Sequence, residues 1–202
     1  MTEPEQPQIY LISPPAFDLA TFPTVLAGVL DAHPIACLRL ALSTRDEDRI
    51  ARAADACREI AHARDVAIVV DDHTGLSERL GLDGVHLTDA TKSVRDARKA
   101  LGPDAIVGAF CGTSRHHGME AGDAGADYVA FGPVAGTSEI ADAELFSWWS
   151  EMIEVPVVAE GALDAEVIKR LAPVTDFFGI GEEIWDAEDP ANQLKLFAQD
   201  LS

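Results

Sequence analysis

Five short stretches hold most of the side chains in this sequence that could bind an anion, bind a cation or move a proton. Asp71-Asp72-His73 ends one apolar run, and Thr88-Asp89-Ala90-Thr91 ends the next. Cys111-Gly112-Thr113-Ser114-Arg115-His116-His117 follows a third, and Glu160-Gly161-Ala162 and Gly181-Glu182-Glu183 follow two more. Adjacent aspartates offer the oxygen donors that a hard cation such as Mg²⁺ requires, so Asp71 and Asp72 form a candidate metal pair. The alternative for Asp71 and Asp72 is structural: one caps the next helix or pairs with Arg39. His116 and His117 fall in the first turn of a helix. At least one is expected in solvent, and the other could face a site as a general acid or base. His86 lies inside an apolar run, where a hydrogen-bonded core histidine competes with a catalytic imidazole. Glu182 and Glu183, at a helix start, complement the helix dipole.

Groups so far apart in sequence meet only if successive loops return to one end of the fold. The pattern between them predicts that. Apolar, β-branched runs at residues 8–13, 34–41, 66–71, 83–87, 105–110, 127–132, 155–159 and 176–181 read as strands. Helical spacing covers 17–32, a segment capped by Ser43 and running to about residue 63, a short helix through Leu80, then 93–101, 114–124, 141–152, 164–171 and 191–201. Ile50, Ala53, Ala54, Cys57, Ile60 and Ala61 make the apolar face of the second helix. Eight strand–helix units without a linker predict a single α/β domain, a (β/α)8 TIM barrel over residues 1–202, with 1–7 a flexible start. An open doubly wound sheet is the alternative, and it rarely needs eight regular units.

At 202 residues the chain is long enough for one proper core, and a formal net charge of −20 repels phosphate backbones and anionic lipids. Nucleic acid and membrane are therefore not expected as partners. No stretch reaches the roughly 20 apolar residues of a membrane span. The acidic, polar first seven residues are unlike a signal peptide, which leaves a cytoplasmic protein as the expectation. Three widely spaced cysteines suit neither a disulfide framework nor a zinc site, and Cys37 and Cys57 read as small buried hydrophobes. Trp148 and Trp149 point about 100° apart on one helix, so one should pack inward and the other lie nearer the surface. Phe146 and Phe177 read either as core or as the face of a homodimer.

Barrels of this type often bind phosphate on glycine turns after the seventh and eighth strands. Here those turns carry Glu160, Glu182 and Glu183 and no Lys or Arg, which disfavours a phosphate.

Three segments carry a resemblance over nearly the whole chain: Asp83-Gly84-Val85-His86-Leu87, Gly125-Ala126-Asp127-Tyr128-Val129-Ala130-Phe131-Gly132-Pro133 and Val155-Pro156-Val157-Val158-Ala159. In this order and spacing they resemble the thiamine-phosphate synthase family and its relative, thiazole tautomerase. The resemblance implies a transferase that joins a pyrimidine diphosphate to a thiazole phosphate, uses Mg²⁺ and releases pyrophosphate. It implies that Arg39 grips the diphosphate, although the flanking motif positions are Cys37 and Ala41. Asp72 keeps a metal-ligand position; the second falls on Thr91, with Asp89 near enough to replace it. Thr137 and Ser138 remain from a shortened loop that has no lysine, Gly161 keeps half of a phosphate turn, and Glu182 aligns with a serine. Arg115, His116 and His117 stand as replacement cations.

Three functional expectations follow. The first is a synthase of thiamine biosynthesis with Mg²⁺ on Asp72 and Asp89 and the diphosphate on Arg39 and Arg115. The second is a tautomerase-like enzyme in which His116 or His117 moves a proton on a thiazole carboxylate. The third is a non-catalytic barrel for a small, cationic ligand, which Glu160, Glu182 and Glu183 would suit.

Overall fold

Strands of four to six residues form from the apolar runs because each is covered on both sides, by the barrel interior and by a helix. The computed structural model describes residues 6–89, 91–136 and 139–201. The chain runs β1 (Gln8–Ile12), α1 (Phe22–Ala32), β2 (Ile35–Leu40), α2 (Glu47–His62), β3 (Ala67–Asp71) and α3 (Thr74–Leu80). It continues β4 (Gly84–Leu87), α4 (Val94–Leu101), β5 (Ile106–Phe110), α5 (Arg115–Ala124), β6 (Tyr128–Phe131) and α6 (Ala143–Met152). It closes with β7 (Val157–Glu160), α7 (Ala165–Leu171), β8 (Phe177–Ile180), α8 (Glu182–Trp185) and α9 (Pro190–Gln199). All neighbouring strands are parallel, and β8 pairs with β1 to close a (β/α)8 barrel, as the repeat of eight units predicts. Of the seven residues expected as a flexible start, 1–5 lie outside the described residues, and Pro7 is buried.

Two apolar layers hold the barrel. Tyr10, Cys37, Val69, Tyr128, Ala130 and Val158 fill the lumen. The larger layer lies between strands and helices, where Phe131 meets Phe146 and Trp149 edge-on. Trp149 is buried and donates its indole N–H to the Val155 carbonyl at 2.7 Å, while Trp148 stays half-buried. The two tryptophans thus divide as their 100° offset predicts. Phe146 is fully buried and Phe177 half-buried on a small cavity with Tyr10 and Tyr128, so Phe146 belongs to the core and offers no dimer face.

Aspartates account for much of the negative charge structurally. Asp46, Asp142, Asp164 and Asp189 cap α2, α6, α7 and α9 by accepting backbone N–H groups of the first turn. Asp83, Asp127 and Asp176 stand immediately before β4, β6 and β8. Their carboxylates accept the N–H of Ile68, Val107 and Val157, one strand back, at 2.7, 2.7 and 2.8 Å. The helix starts differ from two expectations. Ser43 does not cap α2: its hydroxyl donates to the Pro15 carbonyl, and Asp46 takes the cap three residues on. α1 begins at Phe22 rather than Phe17, because Asp18 accepts the Ala20 N–H in a turn and Phe17 stacks on Phe22 at 3.9 Å.

Candidate active site

Because every strand is parallel, their carboxyl ends share one mouth, and the ends of β2, β3 and β7 bring a cation and two anions there. Arg39 donates from Nε to Asp71 at 2.8 Å and from Nη1 to Glu160 at 2.9 Å, tying β2 to β3 on one side and to β7 on the other. Burial alone would lower the guanidinium's pKa, but Glu160 and Asp71 more than offset it, so Arg39 stays charged. Asp71 is pushed up to about 6, first by burial, with Arg39 pulling the other way. The pairing of Asp71 with Arg39 is the structural alternative that its position at a strand end allowed.

Deeper in the lumen, Tyr10 and Tyr128 share a hydrogen bond between their hydroxyls, and the Tyr128 hydroxyl meets His86 Nδ1 at 2.9 Å. Burial, then the charge of Arg39, holds His86 well below the usual imidazole range, so it is neutral at ordinary pH. Its Nε2 is buried with no partner among the described residues. Burial likewise holds both tyrosines protonated. The tyrosines were not singled out in the sequence, although alternation along β1 and β6 places both on the lumen side.

The turns after β7 and β8 form the opposite wall. Gly161 and Ala162 both take left-handed backbone angles, φ +84° and +59°, which turns the N–H groups of Ala162 and Leu163 toward the start of α8. Glu182 accepts the Ala162 N–H at 3.3 Å. Glu183 accepts the Leu163 N–H at 3.0 Å and the Gly181 N–H at 2.9 Å. A cavity of about 540 Å³ opens between this wall and Arg39, with Ile12, Ser13 and Trp185 on its far side. A larger cleft of about 700 Å³, with Arg49 and Arg52 on its wall, lies outside this ring, between the β1–α1 and β2–α2 connections.

The remaining candidates lie elsewhere. Asp72, at φ +56°, accepts the backbone N–H and the hydroxyl of Thr88, and Asp89 accepts the Ser93 hydroxyl. Among the described residues no group of three or more His, Cys, Asp or Glu side chains could hold a metal ion. Asp71 faces Arg39, while Asp72 and Asp89 face hydroxyl groups. His116 is exposed and pairs with Glu120 one turn on, and His117 is exposed beside the Ser114 cap, so neither lines the 540 Å³ cavity. Arg115 lays its guanidinium 4.2 Å over the Trp148 ring. Thr137 and Ser138 lie outside the described residues.

The family model of thiamine monophosphate synthase matches residues 9–175, from the first strand to the threshold of the eighth. The chain belongs to this family. A thiamine-phosphate synthase of Rhodospirillum centenum is 43% identical over 185 residues, covering 89% of each chain. That of Erythrobacter litoralis is 37% identical over 214 residues, covering 100% of this chain and 99% of its own. Among solved structures, a thiamine phosphate pyrophosphorylase of Pyrococcus furiosus superposes with a TM-score of 0.83 at 21% identity, covering 96% and 95% of the two chains. A Streptococcus mutans barrel, KGPDC, reaches 0.75 at 16% identity over 98% of each chain, a likeness of fold alone. No helix among the described residues is long and apolar enough to cross a membrane.

Proposed function

We propose that this thiamine-phosphate synthase family member is a transferase of thiamine biosynthesis, acting on pyrimidine and thiazole small molecules at the 540 Å³ cavity of the barrel mouth. The observation that carries the reading is the match to curated synthases at 37–43% identity over 89–100% of this chain, with Arg39 standing at the strand end where the resemblance expects a diphosphate grip. In the reaction the thiazole nitrogen uses its lone pair to form a bond to the pyrimidine methylene carbon. The carbon–oxygen bond to the diphosphate breaks, and its electron pair leaves with pyrophosphate. Arg39 is the one Lys or Arg among the described residues lining the cavity, so the departing charge falls to it, in exchange for Glu160 or Asp71. No step is assigned to Mg²⁺.

The test is a coupling assay with hydroxymethylpyrimidine diphosphate and a thiazole acceptor, following the coupled product and pyrophosphate, with and without Mg²⁺. Stoichiometric appearance of both is expected. Absence of both, beside a working synthase, would overturn the reading and leave a barrel that binds without catalysis.

A further inference from the structure

Two carboxylates share the Arg39 guanidinium, and they hold it differently. Asp71 takes one edge of the fork with both oxygens, accepting from Nε at 2.8 Å and from Nη2 at 3.4 Å. Glu160 takes a single bond, from Nη1 at 2.9 Å. They also stand in different places: Arg39 and Glu160 line the 540 Å³ cavity, and Asp71 does not. A ligand in the cavity therefore meets the Arg39–Glu160 pair, the arm of the cluster that one hydrogen bond holds.

The fold seats Glu160 for this contact. It ends β7 in register with Gly179 of β8, where a Cβ would come within 2.9 Å of Glu160 Cβ. A Cβ at Gly132, just past β6, would come within 3.2 Å of Glu160 Cγ. The stem of Glu160 thus fills space that side chains on either side would need. Its side chain is 12% exposed, so its attraction to Arg39 is screened less than that of a surface pair. The chain thereby supplies an anion of its own to the one Lys or Arg among the described residues that lines the cavity. A phosphoryl oxygen that takes the Nη1 hydrogen bond must displace this carboxylate, which then competes for the same N–H.

We propose that Glu160 is an internal competitor of pyrophosphate for Arg39: the diphosphate displaces it on binding, and its return to Nη1 speeds release of the product. The inference rests on the synthase reading above. It concerns an exchange of hydrogen bonds, and no covalent bond is altered beyond those of the coupling already written.

The experiment is calorimetry with inorganic pyrophosphate at one fixed Mg²⁺ concentration, on the wild type, Glu160→Gln and Asp186→Asn. Glu160→Gln keeps the shape and a neutral acceptor for Nη1 but removes the competing charge. Asp186→Asn removes a charge from the same cavity wall, at a residue that makes no hydrogen bond to Arg39, and so measures the general field alone. Glu160→Gln is expected to bind pyrophosphate about 10-fold more tightly, about the worth of one charge-assisted hydrogen bond. Asp186→Asn should stay within about twofold of the wild type. Glu160→Ala, which leaves Nη1 no acceptor, should tighten binding at least as much and serves if the Gln variant does not fold. In the coupling assay the inhibition constant of pyrophosphate against the pyrimidine diphosphate should fall by the same factor. Equal or weaker binding by the Glu160 variants would mean that Glu160 only holds Arg39 in place, and would overturn the inference. So would an equal tightening by Asp186→Asn, or no pyrophosphate binding to either the wild type or Glu160→Gln. If no coupled product forms while a reference synthase turns over, the synthase reading fails by itself, and the calorimetric comparison still decides the exchange at Arg39.

Discussion

Replacing Asp71 with asparagine tests whether the buried charge cluster at the mouth opposes folding at neutral pH. Two effects act on this carboxyl: burial raises its pKa and Arg39 lowers it. Burial prevails, placing the group at about 6 instead of 3.8. A carboxyl whose pKa is higher in the folded than in the unfolded chain stabilises the fold in its protonated form. That contribution is complete below 3.8 and is lost as pH rises through about 6. The gap, at about 1.4 kcal/mol per pH unit, amounts to about 3 kcal/mol in all. Roughly 2 kcal/mol of it titrates between about pH 4.5 and about pH 7.5. Asp71→Asn removes the titration, keeps an oxygen for Arg39 Nε, and leaves Arg39 matched one-to-one with Glu160. Urea unfolding followed by fluorescence of Trp148, Trp149 and Trp185 reports the difference. The variant should gain on the wild type by about 2 kcal/mol across that pH range, about 1 M in midpoint at a slope near 2 kcal/mol per molar urea. A difference that stays flat, or that falls as pH rises, would refute the reasoning.

Arg39→Met leaves Asp71 and Glu160 buried without their cation, and a cost of about 3–5 kcal/mol, or roughly 6–20 °C in melting temperature, should appear in calorimetry. Asp127→Ala frees the buried Val107 N–H and ends the pairing with Arg98, so urea unfolding should show a loss of about 1–3 kcal/mol with no change in ligand binding at the opposite end of the barrel. Gly84→Ala places a methyl carbon 1.8 Å from the Ile106 carbonyl oxygen, backbone that has no room to yield; about 3 kcal/mol or more should be lost in thermal unfolding.

The architecture was legible because a strand buried on both faces must be apolar throughout, and eight such runs stand clear of the amphipathic segments between them. Arg39 with Asp71 was legible as one of two readings, since both end adjacent strands, β2 and β3. The start of α2 was not. Ser43 and Asp46 are equally good caps by type, and the choice was made by the Ser43 hydroxyl turning to Pro15, a contact between distant loops. Glu182 and Glu183 were visible as acidic residues on a phosphate-type turn and suggested repulsion. That their carboxylates fold back on N–H groups 20 residues earlier depends on the left-handed turn at Gly161 and Ala162. An aspartate stands immediately before β4, β6 and β8, though Pro34 stands before β2, and each carboxylate reaches an amide in the first two residues of the neighbouring strand.

Those three aspartates divide the barrel in a way that amide hydrogen exchange can resolve. Each joins one odd strand to the even strand after it, β3 to β4, β5 to β6 and β7 to β8, at the end of the barrel away from the ligand. The amides of Ile68, Val107 and Val157 are therefore covered by a side chain of the next strand rather than by a carbonyl of the ladder. Each reports the separation of its own pair, so opening of the barrel can be followed seam by seam, and a ligand that closes the mouth without tightening the floor would leave all three exchange rates as they were.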